Sequence, residues 1–272
     1  MTAPRISVVL PVYAPTVFLR NLAEFAIRTL RTTAAQPFEL IVVEVVHRNL
    51  DPERKLMTSW RPHDVDPNMR VDKYIHFPEK IGGVREFNAG IDAAEGEFIL
   101  STGTDIITPG DWDLELLRIF DARKDCGAAT LSAYEPNYTI GPPGPIDLVV
   151  EGMFSPFTMY RRGWRFDEAY ERVYCDSDII MRLYEAGLRS YRSCRKHVWH
   201  LGSVTNTQAD PEHVANHARA LADDERLFYE RWGNSPLAIF GMIRGGIMVY
   251  GREFDAWTKP INLHYDPKEQ AS

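Results

Sequence analysis

Residues 6–13 read Ile-Ser-Val-Val-Leu-Pro-Val-Tyr, a continuous apolar run that predicts a buried strand followed by a proline-containing loop. Residues 40–46 have the same apolar character, and residues 71–77 alternate polar with apolar side chains. Residues 98–100 form a further apolar run that leads straight into the polar segment 101–105. Short strands of this kind, separated by helical patterns, are typical of βαβ units. The predicted fold class is therefore α/β, with a mostly parallel sheet.

The spacing of apolar residues predicts helices between and after these strands. Gly82-Gly83 opens one helix, and a long helix begins at Asp210-Pro211 and ends at Gly233. The helix after the first strand is expected to bury Phe18, Leu22, Phe25, Thr29 and Leu30. The long helix is expected to bury Val214, Ala218, Leu221, Phe228 and Trp232.

Composition restricts the class of protein. The chain has 272 residues, 44% of them hydrophobic and 25% charged, which is typical of a folded globular protein. Its net charge of −7 argues against the broad basic surface that non-specific nucleic-acid binding needs. Three cysteines without a CxxC pair indicate neither a disulfide framework nor a thiolate zinc site. We therefore expect a cytoplasmic protein that meets a membrane, if at all, at its surface.

Residues 234–272 are expected to form a C-terminal helical extension. Within it, residues 235–250 are largely apolar, and Arg244 is their only charged residue. We expect this segment to pack on the main domain or on a second subunit, because exposure would lower solubility. Docking on a membrane surface is the alternative, although the Lys/Arg-rich face that usually accompanies such docking is missing from these residues.

Polar or flexible residues follow four of the predicted strands, at the sheet edge where ligands of open α/β sheets bind. Tyr13 could stack on a nucleobase, and Glu44 could accept hydrogen bonds from it. The amides of Gly82-Gly83 and the Arg85 guanidinium could face a phosphate. The structural alternatives are a loop tyrosine that packs and a glycine pair that only makes a turn.

Carboxylates and histidines mark further candidates. Asp105 follows a central strand and could hold a divalent cation against substrate phosphates, or cap the next turn. Asp176 and Asp178 begin a helix and point about 200° apart, so one can face a cleft as a general base; we assign that role to Asp176. His197 and His200 share a face if helical and lie on opposite faces if extended, which is weak evidence for a metal site.

Taken in order, these segments resemble the family 2 inverting glycosyltransferases of the GT-A fold over residues 5–233. The matching pieces are Ile6 to Tyr13, Gly82-Gly83 with Asn88-Ala89-Gly90-Ile91, residues 94–100, Arg161-Arg162, Phe166-Asp167-Glu168, Asp176-Ser177-Asp178-Ile179, Arg182-Leu183, Ala186-Gly187 and His200-Leu201-Gly202-Ser203. Their joint order and spacing carry the resemblance. It implies a Rossmann-like sheet flanked by helices in a catalytic domain over residues 1–233. A nucleotide-sugar half would cover about 1–108 and an acceptor half about 109–233.

The resemblance also implies roles for matching residues. Glu44 takes the place of the aspartate that reads the nucleobase, Asp105 supports Mn²⁺ or Mg²⁺ and the diphosphate, and Asp176 is the catalytic base. His200 is a metal or phosphate ligand. The donor-binding candidates are Pro11, Val12, Tyr13, Glu44, Gly82, Gly83, Arg85, Asn88, Thr104 and Asp105. The acceptor-side candidates are Gly152, Met153, Trp164 and Asp178.

The chain departs from the family pattern at the metal motif. The family's DxD aligns with Thr102-Gly103-Thr104, so Asp105 alone remains at its end. Cys175 stands where the family has a glutamate before the base, and Phe87 replaces a polar residue. A catalytically impaired protein that binds nucleotide sugars is therefore an alternative. A sugar-phosphate nucleotidyltransferase is less favoured, because no Gly-rich, basic triphosphate loop follows the first strand.

The expected partner is a nucleoside-diphosphate sugar that donates its sugar to an acceptor hydroxyl. A glycan or glycolipid precursor is the default acceptor of such enzymes. A protein, a small molecule or a modified nucleic-acid base is the alternative, and the negative net charge weighs against nucleic acid. A homo-oligomer through the C-terminal segment is also expected.

Overall fold

The computed structural model describes residues 4–45, 67–134, 139–140, 148–150, 156–202, 204, 208–209 and 211–233. Several predictions of the sequence lie outside these residues. They concern the C-terminal extension 234–272, the acceptor-side candidates Gly152 and Met153, and Asp210 at the start of the long helix.

The described strands form one sheet. They are β1 (Ile6–Val12), β2 (Glu39–Val45), β3 (Lys73–Phe77), β4 (Phe98–Thr102), β5 (Ile106–Ile107), β6 (Cys126–Tyr134), β7 (Thr139–Ile140), β8 (Leu148–Val150), β9 (Phe157–Arg161) and β10 (Arg189–His200). Their order is β3-β2-β1-β4-β9-β6-β10-β5, with β7 beside β6 and β8 beside β10. The pairings among β3, β2, β1 and β4 are parallel, as is that of β6 with β10. β9 runs antiparallel between β4 and β6. The predicted α/β class is confirmed.

Helices cover both faces of this sheet. They are α1 (Val17–Thr33), α2 (Gly83–Ala93), α3 (Trp112–Ala122), α4 (Cys175–Glu185) and α5 (Pro211–Trp232), and Pro67–Met69 forms a 3₁₀ turn. Thr16 caps α1, because its hydroxyl accepts a hydrogen bond from the Leu19 amide at 3.2 Å. α5 stops at Gly233, whose φ of +74° is readily adopted only by glycine.

The core has two layers, one on each face of the sheet. Val8, Leu10 and Val12 of β1 pack with α1 and α3 on one face. Val9 packs with α2, α4 and α5 on the other face. Because both faces are covered, the middle of each central strand is apolar on both sides, as in Val8-Val9-Leu10 of β1 and Leu40-Ile41-Val42-Val43 of β2, which is why the sequence marks these strands clearly.

The predicted buried faces of α1 and α5 need correction. α1 buries Leu19, Ala23, Ala26, Ile27 and Leu30, whereas Phe18 and Phe25 are 55% and 45% exposed. The small alanines let this helix approach the sheet closely. Because alanine is only weakly hydrophobic, the spacing of large apolar residues does not identify this buried face. α5 buries His213, Ala220, Asp224, Phe228 and Trp232 and exposes Val214 and Leu221. Two of its buried residues are polar, so apolar spacing could not identify that face.

β10 is longer than the apolar pattern predicts. The expected strand at residues 190–194 continues to His200 through a change of register between Ser193 and His197. His197 and His200 therefore lie in extended backbone, where residues three apart point to opposite faces.

The described residues contain no helix that is both long and apolar enough to cross a bilayer.

Candidate functional site

The carboxyl ends of β1, β2, β3 and β4 meet at one edge of the sheet because these strands are parallel. Tyr13 follows β1 directly, and Glu44 is the penultimate residue of β2. Asp105 comes three residues after β4 ends. The sheet thus brings the predicted donor-side positions to a single edge, the place where open α/β sheets bind ligands.

A cleft of about 410 Å³ opens beside this edge. Its lining includes four predicted donor-side residues, Tyr13, Gly82, Gly83 and Arg85. Gly82 has φ +98°, a value that other residues adopt only with strain, so glycine is required where the chain turns into α2. Gly82 and Gly83 thus put the amino end of α2 in the lining of the cleft, where a helix dipole favours an anion. One amide of this end, that of Val84, already donates to the Glu171 carbonyl.

Two further cations, Lys80 and Arg172, and the imidazole of His213 line the same cleft. The Lys80 ammonium lies 4.3 Å from the centroid of the Tyr13 ring, and the His213 ring stacks on Tyr13 at 4.7 Å. Arg172 Nη1 lies 2.9 Å from His213 Nε2. Since a guanidinium only donates, His213 Nε2 accepts this hydrogen bond and the imidazole is neutral. With Arg85, the lining holds three cationic side chains, Lys80, Arg85 and Arg172, and three carboxyl side chains, Glu86, Glu168 and Glu171. Burial raises the pKa of the Glu86 carboxyl. The three cations and the amino end of α2 are the groups in this lining that can contact the phosphates of a ligand.

Asn88 lies under the cleft rather than in its lining. Its Nδ2 donates to the Phe166 carbonyl at 2.9 Å and to Glu168 at 3.1 Å, and its Oδ1 accepts from the Phe166 amide at 3.1 Å. Asn88 therefore ties α2 to the loop that carries Glu168, one of the cleft residues.

Glu44 is buried at the end of β2 and is not among the described residues that line the cleft. Burial raises the pKa of its carboxyl, and Tyr74 of the neighbouring strand donates a hydrogen bond to it. Val12 is fully buried in the core, and Pro11 is partly buried within β1. Pro11, Val12 and Glu44 thus lie at the carboxyl ends of two neighbouring strands, and the Val12 side chain packs in the hydrophobic core.

Asp105 and His200, the two metal candidates, lie in contact. β5 pairs antiparallel with the end of β10, which places His200 opposite Ile106. His200 Nε2 is 3.3 Å from Asp105 Oδ2, and the Leu201 amide donates to the Asp105 carbonyl at 2.9 Å. A Cβ at Gly103 would come within 2.7 Å of Asp105 Oδ1, so glycine leaves the room that the carboxylate occupies.

The chemistry of this pair fits a divalent cation only in part. A carboxylate and an imidazole are both common ligands of Mn²⁺. Within the described ranges, however, no three His, Cys, Asp or Glu side chains cluster closely enough to hold a metal alone. The buried hydroxyls of Ser101 and Thr102, in the strand end just before this pair, have no hydrogen-bond partner in the described structure. A cation here would therefore complete its shell with substrate phosphate and water, as Mg²⁺ commonly does.

Asp176 lies in the first turn of α4, which starts after Tyr174 in a left-handed conformation at φ +60°. Its Oδ1 accepts a hydrogen bond from the Ser177 amide at 2.6 Å. Burial raises the pKa of its carboxyl from the usual 3.8 to about 6. Burial and the Asp176 carboxylate together raise the pKa of Tyr160 in β9, so Asp176 lies near Tyr160, on the face of the sheet that α4 covers.

The raised pKa of Asp176 predicts a pH-dependent effect on stability. The folded state binds this proton more tightly than the unfolded state, so stability is highest below about pH 4 for this group and is lost as the pH rises through about 6. We expect Asp176→Asn to raise the melting temperature at pH 8 and to leave it unchanged at pH 4. Thermal melts at both pH values check this. An equal change in melting temperature at pH 4 and pH 8 would mean that ionisation of Asp176 does not destabilise the folded state.

Asp178 is fully buried, and its carboxylate points into the protein. It accepts hydrogen bonds from Arg182 at 2.8 Å, Arg231 at 2.9 Å, Trp232 at 3.0 Å and Tyr170 at 3.3 Å. Four side chains thus donate to the buried carboxylate of Asp178, which the sequence suggested as an acceptor-side residue. The two aspartates therefore differ in their surroundings, since the described hydrogen bond of Asp176 is to the Ser177 amide and Asp178 is bonded to four side chains.

Two further candidates, Trp164 on the acceptor side and Thr104 on the donor side, remain to be placed in the structure. Trp164 is partly buried and packs against the apolar core on the α2 and α4 face. Thr104 is buried beside Asp105.

Sequence reasoning missed Lys80, Arg172 and His213 as cleft residues. Lys80 precedes the glycine pair by two positions, so its nearness to the α2 amino end was a usable signal. Arg172 and His213 come from a loop and from α5, more than 80 residues further along the chain. Only the tertiary fold brings them to the cleft.

Neither a protein-family model nor a curated protein sequence matches this chain. Solved structures do match it. Residues 1–349 of S. aureus TarS align with a TM-score of 0.54 and 18% identity, over 83% of this chain and 72% of that one. The complex of TarS 1–349 with UDP gives 0.56 and 16%, over 88% and 75%. The mannosyltransferase PcManGT from Pyrobaculum calidifontis, in complex with GDP-Man and Mn²⁺, gives 0.53 and 15%, over 80% and 65%.

These similarities are similarities of fold. They confirm the GT-A-type α/β architecture that the order of the sequence segments indicated. Identities of 15–18% carry no information on individual residues, so the roles of the candidate residues rest on the geometry described above.

Proposed function

We propose that this protein is an inverting glycosyltransferase that moves a sugar from a nucleoside-diphosphate sugar to an acceptor hydroxyl. The observation that carries the proposal is the cleft beside the carboxyl ends of β1 to β4, where Tyr13 and the amino end of α2 lie with Lys80, Arg85 and Arg172. Asp105 and His200 come at or after the ends of β4 and β10 on the same edge of the sheet, and Asp176 lies in α4 four residues after Arg172. The structures of similar fold were solved with UDP and with GDP-Man and Mn²⁺, which makes these nucleotides the first donors to test.

The cleft is the proposed binding place of the donor. Tyr13 offers an aromatic face for a nucleobase. The amino end of α2 together with Lys80, Arg85 and Arg172 supplies positive charge for the diphosphate. As the sugar leaves, the same groups stabilise the negative charge that develops on the nucleoside diphosphate.

Asp105 and His200 are the residues that would hold a divalent cation, Mn²⁺ or Mg²⁺, between the protein and the diphosphate. Such a cation neutralises charge on the leaving group when bound. The Asp105 carboxylate supplies negative charge, and a neutral His200 Nε2 supplies a lone pair.

Asp176 is the proposed general base. It takes the proton of the acceptor hydroxyl while that oxygen attacks the anomeric carbon and the bond from this carbon to the diphosphate oxygen breaks. A base with a pKa of about 6 is ionised at pH 7 and is a stronger proton acceptor than an ordinary aspartate. The sugar therefore passes to the acceptor in one displacement, which inverts its configuration.

Binding without transfer is the second candidate function, and the loss of the DxD aspartates at Thr102-Gly103-Thr104 favours it. Release of UDP, GDP or dTDP from a panel of sugar donors, measured with and without Mn²⁺, separates the two. Release of nucleotide from a donor, either on addition of an acceptor or by hydrolysis of the donor, supports the transferase. Tight nucleotide binding with no release from any donor would support the binding function instead.

Glu44 gives a test of how the nucleobase is read. We expect Glu44→Ala to weaken nucleoside-diphosphate binding by about 1–3 kcal/mol, the value of one or two hydrogen bonds. Isothermal titration calorimetry with UDP and GDP measures the loss of affinity. Tyr74→Phe is the matched control, because it removes the hydrogen bond that the Tyr74 hydroxyl donates to Glu44 and leaves the carboxyl in place. An affinity unchanged by Glu44→Ala would assign this carboxyl to the fold alone.

A further inference from the structure

α5 carries a buried carboxylate that bonds to backbone alone in the contacts described. Asp224 is 3% exposed, near the middle of the helix. Its Oδ1 accepts from the Glu171 amide at 2.9 Å, and its Oδ2 accepts from the Arg172 and Val173 amides at 2.8 and 2.9 Å. Three consecutive N–H groups thus converge on one carboxylate, and hydrogen bonds of this charge-assisted kind are strong.

The loop held in this way, residues 171–174, touches both parts of the candidate site. The Glu171 carbonyl accepts a hydrogen bond from the Val84 amide, in the first turn of α2, at 3.2 Å. A Cβ at Gly82 or Gly83 would come within 3.7 Å of the same carbonyl. The loop is therefore packed against the helix end that lies in the lining of the cleft.

At its other end the loop starts α4. Tyr174 has φ +60°, and its carbonyl accepts from the Asp178 amide at 2.8 Å, which closes the first helical turn. Asp176 lies within that turn. The direction in which Asp176 points therefore depends on the backbone of residues 171–174.

α5 also holds the start of α4 from a second side. Arg231 and Trp232, at its carboxyl end, both donate to Asp178 Oδ1. Arg231 in addition donates to Asp167 at 2.7 Å. One helix thus fixes the loop before Asp176 and the residue two positions after it.

We propose that Asp224 is a positioning residue: by bonding three successive amides of the loop 171–173, it holds Asp176 in register with the α2 end of the cleft. The inference rests on the proposed function, in which Asp176 is the base. Asp224 is not itself a lining residue of the cleft, and it bonds to the backbone of the lining residues Glu171 and Arg172 and of Val173, so it acts through the loop.

The test compares Asp224→Asn with Asp223→Asn in the full chain. Asp223 is the neighbouring residue, and its exposed carboxylate pairs with Arg226, so its replacement removes the same charge from the surface only. The measurements are the melting temperature, the turnover number, the KM for donor and the pH profile of turnover. Transfer is assayed with the donor and acceptor that the wild-type protein uses.

We expect Asp224→Asn to lower turnover by about 10- to 10²-fold, the scale of a misplaced catalytic group, with a smaller change in KM. The acidic limb of the pH profile, near 6 for Asp176, should move to lower pH, because a loosened loop admits water to the base. Asp223→Asn should change none of these quantities. A variant that loses only melting temperature, with turnover and acidic limb unchanged, would make Asp224 purely structural.

Two controls keep the failure of this inference separate from that of the proposed function. If Asp176→Asn leaves transfer intact, the proposed function fails; if Asp176→Asn stops transfer and Asp224→Asn does not, only the role of Asp224 fails.

Should Asp224→Asn not fold, hydrogen exchange of the wild-type amides 171–173 replaces it. Protection equal to that of α4 supports the inference, and rapid exchange overturns it.

Discussion

Asp176→Asn is expected to lower the turnover number of sugar transfer by about 10²–10⁴-fold, the range for loss of a positioned general base. The amide keeps the size of the side chain and can still accept from the Ser177 amide, so the fold and the nucleotide affinity should be retained. Steady-state kinetics and calorimetry with nucleoside diphosphate measure the two quantities on the same protein. In the wild type, turnover should rise with pH through about 6, because the base must be ionised to take a proton.

Asp178→Asn is the matched comparison, since it changes the other aspartate of the same helical turn. It leaves Arg182 and Arg231 beside an uncharged group in a buried site, so we expect a lower melting temperature. If Asp176→Asn keeps near-normal transfer while Asp178→Asn abolishes it with the fold intact, the assignment of the base is wrong.

Asp105→Ala is expected to lower turnover by about 10²–10³-fold, the scale for removing one group that stabilises developing charge. The reason is that Asp105 is the only carboxylate left at the end of β4 to attract a cation toward the diphosphate. Binding of Mn²⁺ in the presence of UDP or GDP, followed by electron paramagnetic resonance, should weaken in parallel.

Asp121→Ala serves as the control for Asp105→Ala, because it removes an exposed aspartate that pairs with Arg5 on the surface. It should leave both turnover and Mn²⁺ binding unchanged. Asp105→Ala with wild-type turnover and wild-type Mn²⁺ binding would remove Asp105 from the site and leave the basic groups of the cleft to neutralise the diphosphate.

The strands and the order of the fold were predictable because the sheet is buried on both faces. Val8 and Val9 of β1 pack in opposite layers, so consecutive residues of the strand are apolar and the run stands out in the sequence. Helix faces were harder to predict. Ala23 and Ala26 mark the buried side of α1 by their small size, whereas hydrophobicity gives more weight to the exposed Phe18.

Residues of the candidate site could be proposed from the sequence where they follow strands or open a helix, and not where they come from distant elements. Tyr13, Gly82 and Asp105 could be named from the rule that ligands bind at the carboxyl ends of parallel strands. Contact between Asp105 and His200 depends on the short antiparallel pairing of β5 with β10, which the sequence did not indicate. Asp224 gave no signal at all, since a buried carboxylate that bonds to amides interrupts the apolar stripe of its helix.

The most direct measurement is a crystal structure of the full chain with UDP or GDP and Mn²⁺. We predict that the diphosphate lies between Tyr13, the Gly82-Gly83 helix end and Asp105, with Mn²⁺ at Asp105 and His200 and with Asp176 facing the open side of the diphosphate. A nucleotide bound more than one side chain away from Tyr13, Glu44 and Asp105 would contradict the account.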